Sequence, residues 1–157
     1  MRRFLKLFLA LALTLPAAAQ TTVTGNLKTV LGANYQGDAF VHIRLRGYSG
    51  NIPRVSGAVL AAPEYDVYPD VNGLVSTSVY GNYLITPTGT FYTVEYWSGG
   101  RAQFSQNYAI CVYTVNACTA DVGSFDLNTA AAINTPPVNV TPTGDTTYAR
   151  IDTGNTP

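Results

Sequence analysis

Short runs in which apolar and polar residues alternate, separated by Gly, Pro, Asn and Asp, constrain this chain more than any other feature. Strict alternation puts successive side chains on opposite faces of an extended strand, so each run predicts a strand with one buried face. The run from Val41 to Arg46 is typical, because it places His42 and Arg44 on the solvated face. No stretch of ten or more residues keeps an apolar period of 3.6, so we expect almost no helix.

These runs recur along the central part of the chain. Pro63 interrupts one of them, which confines that segment to a sheet edge or to two short strands. The sequence Asp70-Val-Asn-Gly73 predicts a turn, since Asn and Gly tolerate positive φ and Asp caps its own backbone. With 11 Tyr, 14 Gly and 9 Pro, the pattern predicts an all-β protein, a single antiparallel β-sandwich of about seven strands. The predicted strands cover residues 22–28, 41–46, 57–68, 74–80, 91–97, 104–112 and 122–127.

The two ends of the chain differ from this central region. The first residues combine a basic start, an apolar run from Leu7 to Leu15 and small side chains, which is the pattern of a signal peptide cut before Gln20. The apolar run has nine residues, too few to cross a hydrocarbon core of about 30 Å, and a buried core helix is the alternative. The Thr/Pro/Ala-rich end predicts a linker or tail that is either disordered or donates a strand to a neighbouring copy. We therefore expect a signal peptide over residues 1–19, a β-sandwich domain over 20–127 and a tail over 128–157.

Export determines how the two cysteines are interpreted. A chain that leaves the cytoplasm meets oxidising conditions outside the cell or at its surface. Cys111 and Cys118 are each other's only candidates, and Asn116-Ala117 between them suits a short hairpin that sets them opposite each other. Free or intermolecular thiols are the alternative. Tetrahedral zinc needs four ligands, and one His with this cysteine spacing does not supply them, so we expect no metal.

The charge balance argues against a nucleic-acid partner. Removing Arg2, Arg3 and Lys6 with the leader leaves six basic against nine acidic side chains. The mature chain is then mildly acidic and lacks the basic patch that binds phosphates. We also expect no membrane span after cleavage.

The sequence contains no recognisable catalytic motif. An enzyme needs an activated nucleophile or a tuned acid and base. His42 is the only imidazole, lies on the solvated face beside Arg44 and Arg46, and has no Gly-x-Ser-x-Gly elbow to serve. Charges that protect an edge strand explain Glu64 and Asp66 more simply than a glycosidase pair does. We therefore predict no catalytic residue and no cofactor.

Two polar groups carry weaker binding hypotheses. The oxygen-bearing residues Asp66, Asp70 and Asn72 could attract calcium, but their spacing fits no EF-hand loop and a hydrogen-bonded turn is the simpler interpretation. Arg44 and Arg46, with Arg54 as a further candidate member, form a basic cluster that could hold a carboxylate or an acidic sugar. A bare solvated strand face explains the same arginines more simply.

The run over residues 91–97 provides the best candidate binding residues. Alternation places Tyr92 and Tyr96 on one face, and Phe91 and Trp97 on the other. If one of these rows is exposed, its flat aromatic rings can stack on sugars or anchor an interface. The alternative is a central strand that buries both rows.

Three segments of the chain resemble those of a known family. The segment Val23-Thr-Gly-Asn-Leu27, the alternating strand that ends at Leu45, and the turn Pro69-Asp-Val-Asn-Gly73 with the strand after it look like the carboxypeptidase-regulatory-like modules. The resemblance covers about residues 22–127 and implies a transthyretin-like or immunoglobulin-like sandwich. It also implies a non-catalytic role as a spacer, a surface display or an adhesion module.

We therefore expect a secreted structural or adhesive module that acts at the cell surface or outside the cell. Its partners would be other copies of itself or other surface proteins. The alternative is a carbohydrate-binding module that holds a polysaccharide with exposed aromatic residues.

Overall fold

Strands make up most of the regular structure in the computed structural model, which describes residues 19–61 and 63–134. Most of the predicted signal peptide and the tail beyond Asn134 lie outside these residues. The strands are β1 (Thr21–Asn26), β2 (Phe40–Arg46), β3 (Arg54–Val55), β4 (Ala58–Val59), β5 (Glu64–Val67), β6 (Leu74–Val79), β7 (Ile85–Thr86), β8 (Phe91–Ser98), β9 (Arg101–Tyr108), β10 (Val112–Thr114), β11 (Ala117–Ala120) and β12 (Ser124–Asp126). A helix, α1 (Leu27–Leu31), and two 3-10 turns at Gly32–Asn34 and Asn82–Leu84 complete the elements. The all-β prediction is confirmed.

Two sheets form the body of the protein, with three and four strands. The three-stranded sheet has the order β12-β1-β6, and the four-stranded sheet has the order β5-β2-β8-β9. Their seven strands agree with the number expected. The pairing of β1 with β12 is parallel, with Val23 opposite Phe125, whereas the other pairs in these sheets are antiparallel. Two small sheets, β4-β3-β7 and β10-β11, supplement the body.

The core is built from the inward rows of the two main sheets. Val23, Val75 and Val79 come from the three-stranded sheet. The four-stranded sheet contributes the alternate residues Val41, Ile43, Leu45, Tyr92, Val94 and Tyr96, each fully buried. Because alternation buries these side chains, the residues between them point to the opposite side of the sheet.

Buried tyrosine hydroxyls in this core are hydrogen-bonded. Tyr92 Oη donates to Tyr80 O at 2.8 Å, and the Tyr96 and Tyr108 hydroxyl oxygens are 3.2 Å apart. The Tyr108 hydroxyl also donates to the Gln106 side chain. Burial raises the pKa of Tyr92 and Tyr96 far above the usual tyrosine range, so both stay neutral and serve as packing groups with a satisfied polar end.

The chain turns into helix α1 where a strand was predicted to continue to Lys28, so the expectation of almost no helix is wrong here. Asn26 caps the helix, since its Oδ1 accepts from Thr29 N at 3.2 Å. Leu27 and Leu31 are four residues apart and both buried. Five residues are too few for the ten-residue window in which a helical period was sought.

The predictions made for Pro63 and for the turn at Asp70 are confirmed. Pro63 separates the short strands β4 and β5, and β5 is an edge strand. Asp70 Oδ1 accepts from Asn72 N at 2.8 Å and from Leu74 N at 2.9 Å. Gly73, at φ 86°, completes this turn.

The predicted strand over residues 104–112 ends earlier, at Tyr108. The buried side chain of Asn82 accepts from Ile110 N at 2.7 Å, and Asn82 N donates to Ile110 O at 2.9 Å. These bonds take Ile110 out of the sheet ladder while keeping it buried. In the described parts of the chain, no helix has the length and apolar character needed to span a membrane.

Candidate binding face of the four-stranded sheet

The side of the four-stranded sheet that faces away from the core is the candidate site, and we call it the outer face. Its residues come from alternate positions of β2 and β8, paired as Phe40 with Trp97, His42 with Glu95, Arg44 with Thr93, and Arg46 with Phe91. Strand β5 adds Asp66 beside His42 and Glu64 beside Arg44. Each of these side chains is partly or fully exposed. Of the two rows of β8, the Tyr92–Tyr96 row is therefore buried and the Phe91–Trp97 row lies on the outer face.

Three aromatic side chains lie in a row across one end of the outer face. Phe40 stacks on Trp97 with ring centroids 5.7 Å apart and planes 15° apart. Tyr68, just after β5, lies on the other side of Phe40 at 5.3 Å and 30°. Phe40 and Trp97 are stacked and Phe40 and Tyr68 are tilted, and both separations suit contacts between rings on neighbouring strands about 4.8 Å apart. We call Tyr68, Phe40 and Trp97 the aromatic row.

Sequence reasoning identified Trp97 but missed its two neighbours. Tyr68 is 66% exposed, and Phe40 is half-buried between the other two rings. Phe40 is two residues before His42 in β2, so alternation places both side chains on the same face. That pattern could have identified Phe40 from the sequence. Phe91 is on the outer face too, but six residues from Trp97 along β8, about 20 Å away, so it does not join the aromatic row.

The middle of the outer face holds a hydrogen-bonded histidine. His42 Nδ1 is 2.6 Å from Asp66 Oδ1, and Arg44 Nη2 is 3.0 Å from His42 Nε2. A guanidinium can only donate hydrogen bonds, so Nε2 accepts from Arg44. Nδ1 therefore carries the ring's proton and donates a hydrogen bond to Asp66. This bonding pattern assigns the neutral Nδ1–H tautomer to His42.

Arg44 lies between His42 and Glu64. Its Nε is 2.9 Å from Glu64 Oε1, a close ion pair without the alignment of a hydrogen bond. The guanidinium is thus occupied by partners on this sheet. Arg46 is exposed at the far end of the outer face, opposite Phe91. The two predicted ligand-binding arginines therefore differ: Arg44 belongs to a charge-balanced pair and Arg46 is accessible.

Two carboxylates of the outer face bond to neutral donors. Trp97 Nε1 donates to Glu95 Oε2 at 3.1 Å, and neutral His42 donates to Asp66. Among residues 19–61 and 63–134, neither carboxylate forms an ion pair with Lys or Arg. Each carboxylate neighbours the aromatic row: Asp66 is two residues before Tyr68, and Glu95 is two residues before Trp97.

The residues considered for calcium are separated by their roles in the fold. Asp66 is directed to His42 on the outer face, whereas Asp70 closes its own turn with Asn72. Backbone donation from Leu74 and Asn72 lowers the pKa of Asp70 below its usual value. The described part of the chain has no group of three or more metal-ligating side chains.

The predicted disulfide is confirmed and lies away from the outer face. Cys111 and Cys118 are bonded, with Cα atoms 5.6 Å apart; Cys111 directly precedes β10 and Cys118 lies in β11. A cleft beside this hairpin is lined by Cys111, Tyr113, Phe125 and residues 130–134.

Comparisons with known proteins leave the outer face to be interpreted on its own geometry. No family model matches the chain, and neither the curated proteins nor the solved structures give a match. The resemblance to carboxypeptidase-regulatory-like modules stays a prediction based on turn and strand motifs.

Proposed function

We propose that this protein is a non-catalytic, secreted structural or adhesive module that binds its partner through the outer face of the four-stranded sheet. The aromatic row carries the proposal. A sandwich face directed away from the core usually presents polar side chains, and an accessible aromatic group there is typical of an interaction surface. Tyr68 and Trp97 supply the large, rigid contact area that anchors interfaces.

The bonding of His42 supports a non-catalytic role. A general base needs a free nitrogen directed at the proton it removes. Here both ring nitrogens are engaged, one by Asp66 and one by Arg44. The imidazole therefore acts as a bridge between β5 and β2.

Two observations support action outside the cell. The N-terminal basic, apolar and small-residue pattern is that of a signal peptide. The Cys111–Cys118 disulfide belongs to oxidising compartments. The low charge content, 11% of residues, gives surfaces that readily contact other surfaces, including other copies of the chain.

A carbohydrate-binding module is the second candidate. The exposed ring of Tyr68, at the edge of the sheet, favours it because sugars stack on open aromatic faces. However, Phe40 packs between Trp97 and Tyr68, and the planes of Phe40 and Tyr68 differ by 30°, so the three rings do not form one flat platform. The protein-binding candidate therefore leads.

The test measures how the mature chain, beginning at Gln20, binds to the surface of cells that produce it. Wild type is compared with the double variant Tyr68→Ala/Trp97→Ala and with Tyr83→Ala, which removes an exposed tyrosine outside the sheet. We expect retention of wild type and of Tyr83→Ala, and loss of the double variant. Equal retention of all three would contradict a role for the outer face.

Tryptophan fluorescence separates the two candidates. Trp97 is the only tryptophan in the chain, so its emission reports on the outer face directly. A saturable change on adding neutral polysaccharide would favour the carbohydrate-binding candidate over the adhesive one.

A further inference from the structure

The aromatic row lies next to uncompensated negative charge. Glu95 and Asp66 accept hydrogen bonds from the neutral donors Trp97 and His42, while the charge of Glu64 is balanced by Arg44. The tautomer matters here, because Arg44 donates to Nε2 and so leaves His42 without charge. At the end of the outer face that carries the aromatic row, the carboxylates of Asp66 and Glu95 thus have no Lys or Arg partner among the residues that the structure describes.

These charges form two similar subsites. Asp66 precedes Tyr68 by two residues and Glu95 precedes Trp97 by two residues, so the Cα atoms of each pair are about 7 Å apart and their side chains are on the same side of the sheet. The Glu95 carboxylate is closer to its ring than this, since it accepts from Trp97 Nε1 at 3.1 Å. Strands β5 and β8 are separated only by β2, which sets the subsites about 10 Å apart. A long cationic side chain that pairs with one of these carboxylates can also lie over a face of the neighbouring ring, where the aromatic quadrupole attracts it.

We propose that the partner presents two basic side chains, Lys or Arg, from alternate positions of an extended polypeptide segment, one to the Asp66–Tyr68 subsite and one to the Glu95–Trp97 subsite. Alternate residues of an extended segment lie on one side and are about 7 Å apart, and their long side chains span the remaining distance. The proposal rests on the proposed function and names the chemistry of its partner.

Charge complementarity selects this occupant over a neutral one. The hydroxyl groups of a neutral sugar would donate hydrogen bonds to Asp66 and Glu95, but the sugar would leave both negative charges uncompensated. An acidic segment would be repelled by the same two groups. Two other cations belong to the described strands of this sheet. Arg46 is four residues from His42 along β2, about 13 Å away. Arg101 of β9 lies opposite Ser98, whose side chain is on the buried side of the sheet.

The test uses two synthetic peptides, Ser-Lys-Ser-Lys-Ser and the same peptide with Glu in place of each Lys. Binding to the mature chain is followed by Trp97 fluorescence. We expect a saturable change with the Lys peptide, no change with the Glu peptide, and weaker binding of the Lys peptide as salt is raised.

Isosteric variants assign the binding to the two subsites. Asp66→Asn and Glu95→Gln should each weaken Lys-peptide binding by about fivefold, as the loss of an exposed charge pair does. Asp126→Asn removes one exposed carboxylate from β12 of the other sheet and should leave the affinity unchanged. Because Asn and Gln keep an acceptor oxygen, the bonds from His42 and Trp97 can persist.

Three results would overturn the inference: equal responses to both peptides, unchanged affinity in Asp66→Asn and Glu95→Gln, or equal losses in those variants and in Asp126→Asn. If the Lys peptide does not bind the mature chain while Tyr68→Ala/Trp97→Ala still abolishes binding to cells, the proposed function stands and the inference of a basic partner is wrong. If the double variant also binds cells normally, both are wrong.

Discussion

Val115, at the tip of the β10–β11 hairpin, is a single residue whose backbone conformation opposes its side chain. Its φ is 47° and that of the next residue, Asn116, is 61°. A β-branched side chain in this left-handed region crowds the backbone, at a cost of about 1–3 kcal/mol. The side chain is 97% exposed, so packing does not offset that cost.

Val115→Asn should therefore raise the free energy of unfolding by about 1 kcal/mol, because Asn tolerates positive φ. Urea denaturation followed by Trp97 fluorescence measures the difference. Val112→Asn is the control, since Val112 is an exposed valine of the same hairpin outside this turn. Equal gains from both variants would show that the backbone of Val115 is not the cause.

Two aspartates stabilise turns through their charged forms. Asp38 accepts from Gly99 N and Gly100 N, each at 2.8 Å, and Asp70 accepts from Leu74 N and Asn72 N. Donation from Gly99, then Gly100, lowers the pKa of Asp38, and donation from Leu74 is the main cause for Asp70. A pKa below its unfolded value gives stability above that value and loses it as pH falls through the folded pKa.

The stability of wild type should therefore decline as pH drops below the ordinary aspartate pKa of 3.8. The double variant Asp38→Asn/Asp70→Asn should decline less steeply, because its side chains have no proton to gain. Urea midpoints recorded from neutral pH down to about pH 2 provide the comparison. Parallel curves would mean that other groups govern the acid transition.

At the scale of elements, the disulfide closes the β10–β11 hairpin. Replacing both Cys111 and Cys118 with Ser should lower the free energy of unfolding by about 2–3 kcal/mol, since the unfolded chain is no longer looped. Reduction of wild type should reproduce the loss in urea denaturation. A smaller loss on reduction than on substitution would assign the difference to the Ser side chains.

Elements with a strong local pattern were predictable, and elements made by distant contacts were not. Strands β2 and β8 follow their alternation, and the turn at Asp70 follows its side-chain chemistry. Helix α1 was not predicted, because it is too short to show a helical repeat of apolar residues. It depends instead on the Asn26 cap and on two buried leucines. The parallel pairing of β1 with β12 joins segments 102 residues apart, which no local pattern encodes.

The candidate site shows the same division. Alternation alone placed His42 and Arg44 on one face of their strand, and Phe91 and Trp97 on one face of theirs. It left open which row of β8 is exposed. The aromatic row also requires the register that sets Phe40 opposite Trp97, and that register depends on how two distant strands pair. The neutral state of His42 needs the positions of Asp66 and Arg44 together.

At the scale of the whole molecule, the packed body continues beyond the last strand. Ala130 packs against the core, and Ile133 N donates to Asn107 O of β9 at 2.8 Å. A chain ending at Thr129 should therefore have a lower free energy of unfolding than one ending at Asn134 and than the full mature chain, because it loses these contacts. Urea denaturation of the three chains gives the comparison.

Light scattering coupled to gel filtration extends this test to assembly. If residues beyond Asn134 join copies, a large species should disappear in the chain ending there while stability is kept. A monomer at all concentrations in each chain would contradict assembly through the tail.

The position of β1 between β6 and β12 has a consequence for the order in which this protein can form. The first strand finds its antiparallel partner in the middle of the chain, but its parallel partner is the last strand that the structure describes. A chain that emerges from a ribosome or an export channel with its N-terminus first keeps one side of β1 unpaired until residues 124–126 arrive. Completion of the three-stranded sheet is therefore timed by the arrival of β12 rather than by that of β1.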